Sequence, residues 1–288
     1  MEQRIIALFG VVAAAVFIAG CVGQEGQLAF FTGEIAGGEK EEISLSAEHI
    51  ETARENKDFT LNLLLRPKVD LQDARVDVYD SCLFVNITQQ EFFFPKLKAN
   101  KTEVMKAKYR LGAIDFEQDC ELKIRAEYTG NFSVVQTVTV LQEEEFERRD
   151  KENSLEQIPK AKFTQAGPFL ADFSFSKPLP FRDGGNISMF IDYKNNGKGL
   201  VGKVSEGSVS IDYPENALEL VRCDDFSPVA GGLGLNVDIG LTKGATKKST
   251  CLFTTAAKTP IVSEPLRLSG SYRYRIDSST KVKVEQVR

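Results

Sequence analysis

The 288-residue chain has no tryptophan and a single histidine, His49. A Ser-His-Asp triad, a His-rich zinc site and a histidine general base therefore have almost no raw material. Cys-x-x-Cys pairs are also missing, which argues against a four-cysteine zinc site. Residues 230–235 (AGGLGL) lack the GK[ST] ending of a P-loop and the spacing of a dinucleotide fingerprint, so they read as a loop between strands. Residues 183–186 (DGGN) and Asp224-Asp225 lack the DxDxDG spacing of a calcium loop and read as turns. There is no basic excess: 36 Lys+Arg stand against 41 Asp+Glu, for a net charge of -5. That balance argues against nucleic acid as a partner. Nor is the chain short of apolar residues; at 42% hydrophobic and 27% charged it is not disordered throughout. Helix-forming segments are scarce, which argues against an α/β enzyme. The expectation is a non-enzyme without metal or cofactor.

What is present begins with a leader. After Met1–Arg4, residues 5–20 (IIALFGVVAAAVFIAG) run without a charge. This is marginal for a membrane span, which needs about 20 residues, and fits the apolar region of a secretory signal. Ile18-Ala19-Gly20-Cys21 resembles the lipobox of bacterial and archaeal lipoproteins. The resemblance implies lipidation of Cys21, which becomes the new N-terminus. An uncleaved N-terminal hydrophobic helix and simple secretion are the alternatives. All three place the rest of the chain outside the membrane, and the first two anchor it to the outer face of the cell membrane. Glu143-Glu144-Glu145 could pair carboxylates for glycosidase chemistry, but they fall in a charged linker rather than a cleft.

Four cysteines follow: Cys82, Cys120, Cys223 and Cys251. An even number behind an export signal reads as disulfides, and three connectivities are open. Sequence order favours Cys82–Cys120 and Cys223–Cys251. Cys120 shares the parity of Leu122, and Cys82 that of Val76 and Val78, so both are expected to point inward and to join two sheets. Four Asn-x-Ser/Thr sequons, at Asn86, Asn100, Asn131 and Asn186, are candidate glycosylation sites.

Period-two alternation dominates the remainder. Leu122, Ile124, Ala126 and Tyr128 alternate with polar residues, and residues 129–131 (TGN) read as a hairpin turn back into Val134, Val138 and Val140. Leu266, Leu268, Tyr272, Tyr274 and Ile276 do the same, with a turn read at 277–280. Further strands are expected at 187–193, 209–213, 218–223, 235–241 and 251–255. The expected organisation is a signal or anchor at 1–21 and a stalk at 22–57, with one short helix near 47–55. A first sandwich covers 58–141, a charged linker 142–165 and a second sandwich 166–288. The halves share a pattern, since residues 76–79 (VDVY) echo 209–213 (VSIDY).

Residues 187–197 (ISMFIDYKNNG) run from a strand into a turn. They resemble the Ig-like domains of archaeal and bacterial surface proteins, including the CARDB-type adhesion-related modules. Such modules bind, space or display. The resemblance implies an all-β fold: two Ig-like antiparallel β-sandwiches in tandem, behind a hydrophobic helix and a stalk. It implies a non-catalytic surface protein, either structural or for recognition, with surface proteins or glycans as partners. The alternative is a substrate-binding lipoprotein that serves a transporter or holds a glycan. Three consecutive aromatics, Phe92-Phe93-Phe94, cannot all face inward, so one is expected to be exposed or to sit at a bend beside Pro95.

Overall fold

The computed structural model describes residues 41–48, 52–80, 82, 85–87, 91–165 and 167–286. The leader, Cys21 and His49 lie outside the described residues. The first half contains β1 (Ile43–Glu48), β2 (Thr52–Arg54), β3 (Asp58–Pro67), β4 (Leu71–Asp80), β5 (Val85–Ile87), β6 (Glu91–Leu97), β7 (Glu103–Leu111) and β8 (Gln118–Leu141). A short helix, α1 (Glu143–Lys151), follows. The second half contains β9 (Lys162–Thr164), β10 (Phe169–Phe175), β11 (Phe181–Arg182), β12 (Asn186–Asn195), β13 (Leu200–Val204), β14 (Val209–Asp212), β15 (Leu218–Cys223), β16 (Phe226–Val229), β17 (Gly232–Leu235), β18 (Ile239–Leu241), β19 (Thr246–Thr255) and β20 (Ile261–Glu285). The fold is therefore mostly β, as the alternation implies.

Two hairpins expected from the sequence are absent. β8 passes straight through Gly130, and β20 straight through residues 277–280. These two long strands pair with each other instead, antiparallel and in continuous register from Gln118↔Val284 to Leu141↔Ile261. A ladder of 24 residues is about 80 Å long at 3.3 Å per residue. It forms a spine shared by both halves. Even-numbered residues face one side along its whole length. Cys120, Leu122, Ile124, Ala126, Tyr128, Phe132 and Val134 are buried, as are Leu266, Leu268, Tyr272, Tyr274 and Ile276 opposite. Odd-numbered residues such as Arg125, Glu127, Arg273 and Asp277 form the polar outer face.

The two halves repeat one topology. In the first, a sheet ordered β1-β3-β7-β5 faces β8-β4-β6; in the second, β10-β12-β19-β15 faces β20-β14-β17. Numbered from one to seven within each half, both read 1-2-6-4 against 7-3-5. The architecture is a sandwich, but its strand order differs from the 1-2-5-4 against 3-6-7 of immunoglobulin domains. The small strands match as well. β2 runs parallel beside the end of β20, and β11 parallel beside the end of β8. Each half thus lends the tail of its last strand to its partner's sheet. All described residues belong to one compact unit.

The expected stalk ends earlier than residue 57. Ile43, Leu45 and Ala47 of β1 are buried in the core, and the expected helix near 47–55 is replaced by β1 and β2. Residues 235–241, expected as one strand, hold only the last residue of β17 and the whole of β18, and the glycine-rich 230–235 is largely the hairpin β16–β17. The charged segment carries α1, with Glu143–Glu145 in its first turn and Arg148, Arg149 and Lys151 in its last, which suits the helix dipole. Bonds from Arg148 and Arg149 hold the Glu145 carboxyl down to about 2. Among the described residues, no helix is long and apolar enough to cross a membrane.

Candidate functional site

The four cysteines fall into the two expected pairs. Cys82 and Cys120 have Cα atoms 5.7 Å apart, and Cys223 and Cys251 4.0 Å. Cys82–Cys120, expected to join two sheets, links neighbours within one instead. Cys223 and Cys251 sit opposite each other on neighbouring strands of one sheet. Cys82 follows directly on β4, the sheet neighbour of the Cys120 strand β8. Cys120 is buried, as its parity requires.

The sequons are scattered. Asn100 lies in the β6–β7 turn at φ 61°, exposed. Asn131 is exposed on the outer face of β8, opposite Ser271. Asn186 begins β12 and accepts a bond from Thr254 Oγ1 at 3.0 Å. The side chain of Asn86 is outside the described residues.

The acidic turns have structural partners. Asp183 Oδ1 accepts the amides of Gly184 and Ala257, both at 2.9 Å, and Asp225 Oδ2 accepts Ser249 Oγ at 2.5 Å. Among the described residues no three His, Cys, Asp or Glu side chains converge as a metal site would require. Of the three aromatics, Phe93 is the exposed one, with Arg75 over its ring at 5.4 Å. A shallow groove of about 340 Å³ crosses β3 and β7, lined by Asp58, Phe59, Thr60, Lys108, Tyr109 and Arg110.

The densest polar chemistry lies elsewhere, at the middle of the spine where the two sandwiches meet. Glu41 and Glu42, just before β1, are only 2% and 5% exposed. Tyr272 donates its hydroxyl to Glu42 Oε2 at 2.9 Å, and Tyr274 donates to Glu41 Oε1 at 2.9 Å. The β12–β13 turn closes the other side. There the Lys198 amide donates to Glu41 Oε1, and the Gly199 amide donates to the Tyr274 hydroxyl at 2.7 Å. Asn195 builds that turn from inside, donating to Gly199 O at 2.9 Å and accepting the Gly197 amide at 3.2 Å. Around the carboxylates, Tyr272 packs on Phe169 at 5.0 Å between centroids, and Tyr128 on Tyr274 at 5.7 Å.

Two glycines make this possible. A Cβ on Gly130 would lie 2.6 Å from Tyr272 Cζ and 2.8 Å from Glu42 Oε2. A Cβ on Gly197 would lie 2.7 Å from Glu41 Oε1 and closer still to the Tyr274 hydroxyl. Gly130 therefore marks a close approach in a strand, not a turn. Burial pushes the Glu42 carboxyl up to about 7; the Tyr272 and Tyr128 hydroxyls oppose the rise and Glu41 adds to it. The Glu41 Oε2 atom and the Tyr128 hydroxyl are buried without a hydrogen-bond partner.

Sequence reasoning missed this cluster. Glu41 and Glu42 lie in a Gly- and Glu-rich stretch, and their tyrosines are more than 200 residues away. No protein-family model matches the chain, and no curated protein matches its sequence.

Proposed function

We propose that this is a non-catalytic, membrane-anchored protein of the outer cell surface, a pair of β-sandwiches in tandem that serves as an envelope component, an adhesion module or an accessory subunit. The observation that carries the reading is the shared spine. It joins the two sandwiches through one continuous ladder, about 80 Å of paired strand, which suits spacing and display. The apolar leader and lipobox support anchoring through Cys21, and the two cysteine pairs suit an oxidising exterior. The contacts fall to loops at the sandwich ends or to edge strands such as β6.

The test is the intact mass of the membrane-extracted protein before and after reduction, with surface labelling of whole cells. The expected result is a chain starting at a lipid-modified Cys21, labelled from outside, gaining about four hydrogens on reduction. Glycan mass on any of Asn86, Asn100, Asn131 or Asn186 adds to the surface assignment. A full-length cytoplasmic chain with four free thiols overturns it.

Ligand capture is the second reading, resting on the groove over β3 and β7. Its volume lies at the lower end of the range for small-molecule sites. The exposed side chains there are Asp58, Lys108 and Arg110, so the ligand class would be polar. Glycan binding that survives Asp58→Ala and Arg110→Ala together removes this reading.

A further inference from the structure

We propose that the joint between the two sandwiches is a proton-operated latch, in which protonated Glu42 holds the segment entering β1 between β8, β20 and the β12–β13 turn, and ionised Glu42 releases it. The inference does not depend on where the protein resides.

The geometry sets up the conflict a latch needs. Two adjacent carboxyl groups are buried together at the middle of the spine. They tie three separate parts of the chain. Glu42 bonds to β20 through Tyr272; Glu41 bonds to β20 through Tyr274 and to the turn through the Lys198 amide. The titratable and charged groups facing the pair are Tyr128 from β8 and Tyr272 and Tyr274 from β20. The turn and the end of β3 approach through backbone amides, the latter from Lys68 N to Glu42 O at 2.7 Å. The charge acting on Glu42 is the Glu41 carboxylate, which opposes a second ionisation. Burial holds the three tyrosine hydroxyls in their protonated form well above neutrality. Glu41 Oε2 is already a buried acceptor without a donor, so a second negative charge in the cluster adds to an existing deficit of donors. Two buried like charges cannot both persist cheaply, and one site takes a proton or leaves.

The sign follows from linkage. A carboxyl raised in the closed joint, against about 4.5 in the open one, favours closure fully below pH 4.5. That advantage is lost as pH rises to about 7 and is constant above. Between pH 5 and pH 8 the open-to-closed ratio rises about 70-fold.

Amide hydrogen exchange of the whole folded domain at pH 5 and pH 8, corrected for intrinsic rates, reads this directly. The Lys198 and Gly199 amides are the reporters, since they donate into the cluster. Their protection is expected to fall about 70-fold from pH 5 to pH 8, while β19 amides stay unchanged. Glu42→Gln should abolish the pH dependence. Tyr272→Phe, which removes a donor to the carboxylate, should move the upper end of the rise to higher pH and serves if Glu42→Gln folds poorly. Protection that is flat with pH in the wild type, or unaltered in Glu42→Gln, overturns the latch. So does protection that tracks added calcium rather than pH, which would make the cluster a metal site.

Discussion

Gly130 shows how much a missing side chain can carry. It lies opposite Tyr272 in the spine, and the tyrosine ring and the Glu42 carboxyl occupy the space its side chain would take. Gly130→Ala should therefore cost about 1–3 kcal/mol through overpacking, read by urea denaturation at pH 6. An unchanged midpoint would mean that the ring and the segment before β1 can move aside freely. The same residue explains a misreading. Gly and Asn at positions 130 and 131 look like a turn, because turn signals are local. What decides the strand is its pairing with β20, more than 140 residues away. Ser and Asp at 277–279 mislead in the same way; Asp277 is on the outer face, where it accepts Arg125 Nε at 3.0 Å. Burial of Glu41 and Glu42 had no local signal at all.

Among elements, β8 is the most exacting. Ala126 pairs with Val76 on one side and Ile276 on the other, and it is buried. Ala126→Pro removes a ladder bond in a central strand and should lower stability by about 3 kcal/mol or more, with both sandwiches affected together. Phe93 on the edge strand β6 is 52% exposed. Phe93→Ser should change stability by less than about 0.5 kcal/mol, and thermal melts of the two variants side by side make the contrast. Much of this was legible. Period-two alternation located β4, β12, β14, β15 and the inner faces of β8 and β20, because one wet face leaves a plain imprint on a sequence. Strand order was not legible, since the same alternation serves any partner.

For the molecule as a whole, the exchange of strand tails makes the halves interdependent. Residues 152–154, between α1 and the second sandwich, are a natural place for a protease to cut, with Asn153 at φ 53°. Cleavage there should leave two fragments that co-elute at the native size and separate only in denaturant. Fragments that part in native buffer would show that the spine does not bind the halves. Calorimetry of the uncut protein should show a single transition for the same reason. A repeat inside one chain thus behaves like a dimer that has exchanged arms.

The segment leading into β1 enters the body at the middle of the spine, not at either end. Glu41 and Glu42 therefore sit where the two arms of the ladder balance. Each end of the ladder lies about 40 Å of strand away, half its length. A pull at either tip would reach the Glu41–Glu42 cluster through the same length of paired strand.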